Sequence, residues 1–125
     1  IQDGALGLNT FNKLVDITQN YPNIKTIVLK NIDGSVHDDI NMQSGLLLRK
    51  AGLNTYVVDT EGESTDIASG AVDLFISGAK REIENNETVS LGIHSWAEEG
   101  NDGKKIEGRD FPKEHKKHHD QLLYF

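Results

Sequence analysis

Short β-branched runs alternate with helical stretches along this chain, and no other feature constrains its fold as strongly. The runs "IKTIVLKNI" (24–32), "NTYVVDT" (54–60) and "ETVSLGIHSW" (87–96) read as strands. Ahead of the first, Leu8, Phe11, Leu14, Val15 and Ile17 fall near helical spacing, and Pro22 closes that segment. Between the first two, Val36, Ile40, Leu47 and Ala51 mark the apolar positions of an amphipathic helix, with Gly52 as its C-cap. The polar "EGESTDIA" (61–68) reads as a connection, and "IASGAVDLFISGAKR" (67–81) as an apolar helix running to Gly78. Strands separated by helices cannot pair as hairpins. They imply an α/β fold with a largely parallel sheet and helices packed against it.

Composition narrows the class. The chain has 125 residues, 36% of them hydrophobic, which suits a single domain with a real core. No stretch reaches the ~18 continuous apolar residues of a membrane span. A net charge of −7 argues against a nucleic-acid partner, and the one basic cluster, "KEHKKHHD" (113–120), is interrupted by acids. The absence of cysteine removes disulfides, thiolate metal sites and a cysteine nucleophile. The chain opens on Ile1 rather than Met, and "EHKKHHDQLLYF" reads as a helix still in progress. Both features suggest a fragment whose C-terminal part is missing. A removed export signal would account for the first of them.

In parallel α/β folds, chemistry gathers where strands end and helices begin. Three places fit: Asp33–Gly34–Ser35 in a tight turn after the first strand, Ala68–Ser69–Gly70 before the apolar helix, and His94 at the end of the third strand. A serine becomes a nucleophile only with a base in reach and donors for the developing oxyanion. Taken singly, each residue has a plainer role. Serine is a favoured helix N-cap, a strand-end histidine is commonly structural, and a glycine turn says nothing.

Together, their order resembles a family. "IKTIVLKNIDGSV" is similar to the strand and glycine turn of the Clp-type serine peptidases. "ASGAVDLFISGAKR" resembles their nucleophile segment, and "VSLGIHSW" the strand that carries their histidine. The interval from Ser69 to His94 matches that family's spacing. "GLNT" before the second strand and "SGAKR" after the serine look most like uncharacterised periplasmic-type proteins of the Clp/crotonase superfamily. The resemblance covers roughly residues 22 to 95. It implies a spiral of strand–strand–helix units with Ser69 as nucleophile, His94 as general base, and the amides of Gly34 and Gly70 as the oxyanion hole. It further implies a peptide or protein substrate, no cofactor, assembly into a homo-oligomer and a periplasmic or exported location, with the cytoplasm left open.

Two departures from the family pattern stand out. Asp33 replaces a glycine of the turn, so its carboxylate either repels an oxyanion or points into solvent. The family's third catalytic residue has no match, since Asp102, Asp110 and Asp120 all sit elsewhere. The competing expectation is therefore a non-catalytic scaffold of the same fold, serving ligand binding or assembly. Other candidates weigh less. His115 and His119 have a chelating spacing but no cysteine to support them, so no metal is expected. Asp73 could orient a base, Trp96 could line a groove, and Glu61, Glu63 and Asp66 suit a solvated loop. The charged, glycine-rich segment 97–110 is expected to be a weakly ordered gate.

Overall fold

The computed structural model describes residues 1–58, 65–84, 87–94, 97–99, 103–107, 116 and 124. The chain forms two compact units, Ile1–Ile93 and His94–Phe125.

The first unit is α/β with a curled parallel sheet. Its elements run β1 (Gln2–Leu6), α1 (Leu8–Asn20), β2 (Thr26–Ser35), α2 (Asp38–Ala51), β3 (Asn54–Val57), β4 (Thr65–Ala68), α3 (Gly70–Ile76), β5 (Arg81–Ile83) and β6 (Val89–Gly92). β2 organises them. Its first half pairs with β3, from Thr26 against Asn54 to Leu29 against Val57, and β3 pairs onward with β5. Its second half pairs with β1, while Ile32 also faces Ile67 of β4, which pairs onward with β6. All of these pairings are parallel.

The alternation of buried residues along β2 explains how one strand can serve both sets. Ile27 and Leu29 are buried in its first half, and Ile32 and Gly34 in its second, so the phase slips by one residue between Leu29 and Ile32. A slip of one residue normally turns a strand's side chains to the opposite face. Asn31 absorbs it with φ 50°, a left-handed conformation that asparagine tolerates better than most side chains. Its Oδ1 also accepts the backbone N–H of Asp66 at 3.2 Å, tying the kink to β4. Farther along, β1 and β2 slip past each other between Gly4 and Ala5, leaving Asp33 as the extra residue of β2.

The core gathers Leu6, Leu14, Leu29, Ile32, Leu48, Val57, Ile67 and Leu74, each at most 2% exposed. α2 has acids in its first turn (Asp38, Asp39) and bases in its last (Arg49, Lys50), which complement the helix dipole. Gly52 follows it at φ 70° as the expected C-cap.

Several sequence-based expectations need correction. β1 and β5 are additional strands, and Thr65–Ala68 is a strand rather than part of a polar connection. α2 begins at Asp38, and it buries Asn41, Ser44, Gly45 and Leu48. Of the apolar stripe of Val36, Ile40, Leu47 and Ala51, Leu47 packs half-buried against the core, while Val36 is 63% exposed. Small and polar side chains win the buried face because α2 must pack closely against α3. Gly34 lies inside β2, not in a turn after it, and β6 ends at Gly92, before His94.

In the second unit, β7 (Ala97–Glu99) and β8 (Lys105–Glu107) pair antiparallel, with Gly103 at φ 77° between them. The segment expected to be an irregular gate thus contains a hairpin. His115, His119, Trp96, Glu61, Glu63, Asp102, Asp110 and Asp120 lie outside the described residues.

The phase slip makes Asn31 a position where backbone freedom outweighs β-propensity. Asn31→Val should lower stability by about 1–2 kcal/mol relative to Asn31→Gly, as read from urea unfolding. Equal stability of the two variants would show that the left-handed kink does not exist.

Candidate functional site

Parallel strands put their C-terminal ends at one end of a sheet, and Ser35 and Ser69 both lie there. Ser69 is the single residue between β4 and α3, with φ 54° and ψ −125°. That combination is rare for a side-chain-bearing residue and costs on the order of 1–3 kcal/mol. Backbone bonds hold it from both sides. Its N–H donates to the Gly92 carbonyl of β6 at 2.8 Å, and its carbonyl accepts the N–H of Val72 at 2.9 Å. Although Ser69 occupies the N-cap position, its hydroxyl makes no capping hydrogen bond. The plain explanation for a serine at this position therefore fails.

Gly34 is required by its backbone conformation and Gly70 by space. A Cβ built on Gly34 would lie 3.2 Å from Ser69 Cβ and 3.6 Å from its Oγ, and Gly34 itself has φ 149°. The β2 backbone thus passes directly beside the Ser69 hydroxyl. A Cβ on Gly70 would collide with the Ser35 side chain and stand 2.9 Å from Asn41 Nδ2. Ala68 is also confined, since a Cβ on Gly92 would come within 3.0 Å of its methyl. Small residues on both sides of the serine are what let two strands and a helix meet there.

Three of the four residues singled out from the sequence, Ser69, Gly34 and Gly70, are thus brought together. The fourth, His94, is exposed and opens the second unit, beyond the end of β6. Asp33 is exposed as the bulged residue of β2, so its carboxylate faces solvent, where screening weakens any effect on a neighbouring oxyanion. Asp73 lies in the first turn of α3 and is half-buried. Asp66 accepts a hydrogen bond from the Ser90 hydroxyl of β6, so it braces the sheet instead of a solvated loop.

Sequence reasoning named Ser35 within the Asp33–Gly34–Ser35 turn without giving it a role, and it missed Asn41. Asn41 is 5% exposed and donates from Nδ2 to the Gly70 carbonyl at 2.9 Å. Its only sequence signal was a polar residue amid a helix otherwise read by its apolar stripe.

A cleft of about 570 Å³ lies elsewhere, between β1, α1 and the start of β2, lined by Ile1, Lys13, Leu14, Ile17, Ile24 and Val28 among others. The Ile1 nitrogen donates to the Val28 carbonyl there at 2.8 Å. This cleft sits at the beginning of β2 while Gly34 sits near its end, so it is not the Ser69 site. Among the described residues, no group of three His, Asp or Glu side chains converges in a way that could hold a metal. No protein-family model, curated protein or solved structure matches this chain.

The conformation of Ser69 has a measurable signature. Ser69→Gly should be more stable than Ser69→Ala by about 1 kcal/mol, because only glycine relieves a positive φ. Gly70→Ala should cost about 1–3 kcal/mol by overpacking against Ser35 and Asn41. Chemical denaturation of the three variants checks both. Equal stability of Ser69→Ala and Ser69→Gly would contradict the strained turn.

Proposed function

We propose that this protein is a serine hydrolase of the Clp type, a peptidase built on a Clp/crotonase-like spiral of strand–strand–helix units. One observation carries the reading: Ser69 is held at φ 54° between a strand and a helix, its hydroxyl uncommitted to capping and lying against the bare backbone of Gly34. A serine on a strained strand-to-helix turn is the arrangement that presents a nucleophilic Oγ to substrate. Strain kept at one residue, with glycines fitted around it, is an expected cost of function.

In the reaction that the family resemblance implies, Ser69 Oγ attacks the carbonyl carbon of a peptide bond while a general base, the role the resemblance assigns to His94, takes the hydroxyl proton. The carbonyl oxygen becomes an oxyanion, for which the family resemblance supplies the amides of Gly34 and Gly70 as donors. As the tetrahedral species collapses, the C–N bond breaks and the protonated His94 gives its proton to the departing amine. Water, deprotonated by the same imidazole, then releases the acyl group and restores Ser69.

The surroundings suit a peptide. Val36 and Leu8, 63% and 54% exposed, offer apolar surface at the same end of the sheet, where the Val36 N–H donates to the Leu6 carbonyl. An extended substrate can lay a side chain against such a surface. The same exposed residues favour association of copies of the chain into a homo-oligomer, in keeping with the family it resembles. An exported, periplasmic location belongs to the same reading. Among the described residues no helix is long and apolar enough to cross a membrane.

A fluorophosphonate or β-lactone probe should label Ser69 covalently, and Ser69→Ala should abolish that labelling. His94→Ala should slow it by about 10²–10⁴-fold through loss of the base. Asp33→Gly should leave the rate within a few-fold, because the Asp33 carboxylate faces solvent. Folded protein that fails to label would instead establish the non-catalytic scaffold, with Ser69 serving only the turn.

A further inference from the structure

Asn41 lies outside the roles assigned above, yet it is the buried polar side chain that touches the proposed site. Its Nδ2 donates to the Gly70 carbonyl at 2.9 Å, while its Oδ1 is buried without a hydrogen-bond partner among the described residues. The two ends of this amide pull stability in opposite directions. A single buried hydrogen bond adds little net free energy, because folding exchanges it for bonds to water. A buried acceptor left unpaired forfeits its hydration in full, a penalty as large or larger. As a contribution to folding, then, Asn41 gains nothing over an apolar residue of similar size.

What the amide does supply is direction. Gly70 has no side chain to lock its backbone, and none can be added, since a Cβ there would strike Ser35 and Asn41. The residue immediately before it is the strained Ser69. Holding the Gly70 carbonyl from the side fixes the peptide that joins Gly70 to Ala71, while the bond from the Val72 N–H to the Ser69 carbonyl holds the peptide that carries the Gly70 N–H; with both peptides held, the glycine cannot rotate between them. Ser35 crowds the same point from β2, so the glycine is confined between a strand and a helix.

From this the geometry points to Asn41 as a positioning residue: it fixes the Gly70–Ala71 peptide and so holds the start of α3, where the proposed oxyanion donor stands beside Ser69. The assignment rests on the serine-hydrolase reading and adds to it a residue from α2. It also gives a use to the asparagine on the buried face of α2, where close packing admits the small Ser44 and Gly45 beside it. Position was favoured there over stability, a trade that recurs at functional sites.

The test separates positioning from folding. Asn41→Leu removes the donor and the unpaired acceptor together, and Asn41→Asp keeps the shape while removing the donor. Each variant is compared with wild type by thermal unfolding, by the rate at which a fluorophosphonate labels Ser69, and by the ¹⁵N–¹H signals and hydrogen exchange of Gly70 and Ala71. The expected result is that Asn41→Leu unfolds at or above the wild-type temperature while labelling slows at least tenfold, with the Gly70 amide shifted and exchanging faster. Asn41→Asp is expected to slow labelling by at least as much, and it serves where the leucine does not pack. Unchanged labelling in a folded variant overturns the assignment. So does a loss of labelling that only follows a loss of stability, which would make Asn41 a structural residue. If wild type itself does not label, the hydrolase reading fails by itself. The Gly70 amide signals then report separately whether Asn41 holds the turn, and signals unmoved by either variant overturn that hold.

Discussion

Among the described residues β2 pairs with three other strands, and the meeting of Gly34 with Ser69 depends on how it does so. It turns from β3 toward β1 and β4 at Asn31, a single residue in the left-handed region. Without that kink the second half of the strand would present its charged face to the core. With it, Ile32 and Gly34 are buried and β4 runs alongside, so β4 ends where Gly34 passes. The meeting of Gly34 and Ser69 follows from the phase of one strand.

The strain at Ser69 persists because its surroundings leave no alternative. Ile67 before it is fully buried, as are Ala71 and Leu74 after it, and its own N–H is bonded to β6. Burying one large apolar side chain is worth about 1.5–3 kcal/mol. Anchors on both flanks therefore outweigh a backbone penalty of about 1–3 kcal/mol. Relaxing the turn would require α3 to move, and Gly78 blocks that at the far end. A Cβ on Gly78 would overlap Thr55, whose hydroxyl donates to the Phe75 carbonyl at 2.6 Å. The helix is fixed to β3 at its end and to β6 at its start, leaving the serine to absorb the misfit.

The sequence revealed this arrangement unevenly, for physical reasons. α1 and the C-cap of α2 were legible because apolar periodicity and a left-handed glycine are local signals. The parallel sheet followed from the alternation of elements. β4 was hidden because Thr65–Ala68 is short and half polar, and it is a strand only because β2 and β6 flank it. The buried face of α2 was misread because close packing against α3 rewards small and polar residues over the apolar stripe that periodicity follows. The nearness of Gly34, Ser69 and Gly70 was suggested by family resemblance. Asn41 was missed because an asparagine on a helix reads as surface until the packing shows it 5% exposed.

The most direct measurement is a crystal structure of the protein after reaction with a phosphonate probe. The account calls for phosphorus bonded to Ser69 Oγ, with the phosphoryl oxygen about 2.7–3.1 Å from the amide nitrogens of Gly34 and Gly70. It also calls for Ser69 to keep its positive φ in the adduct. A structure in which Ser69 has relaxed to negative φ, with its unmodified hydroxyl bonded to the first turn of α3, would contradict it.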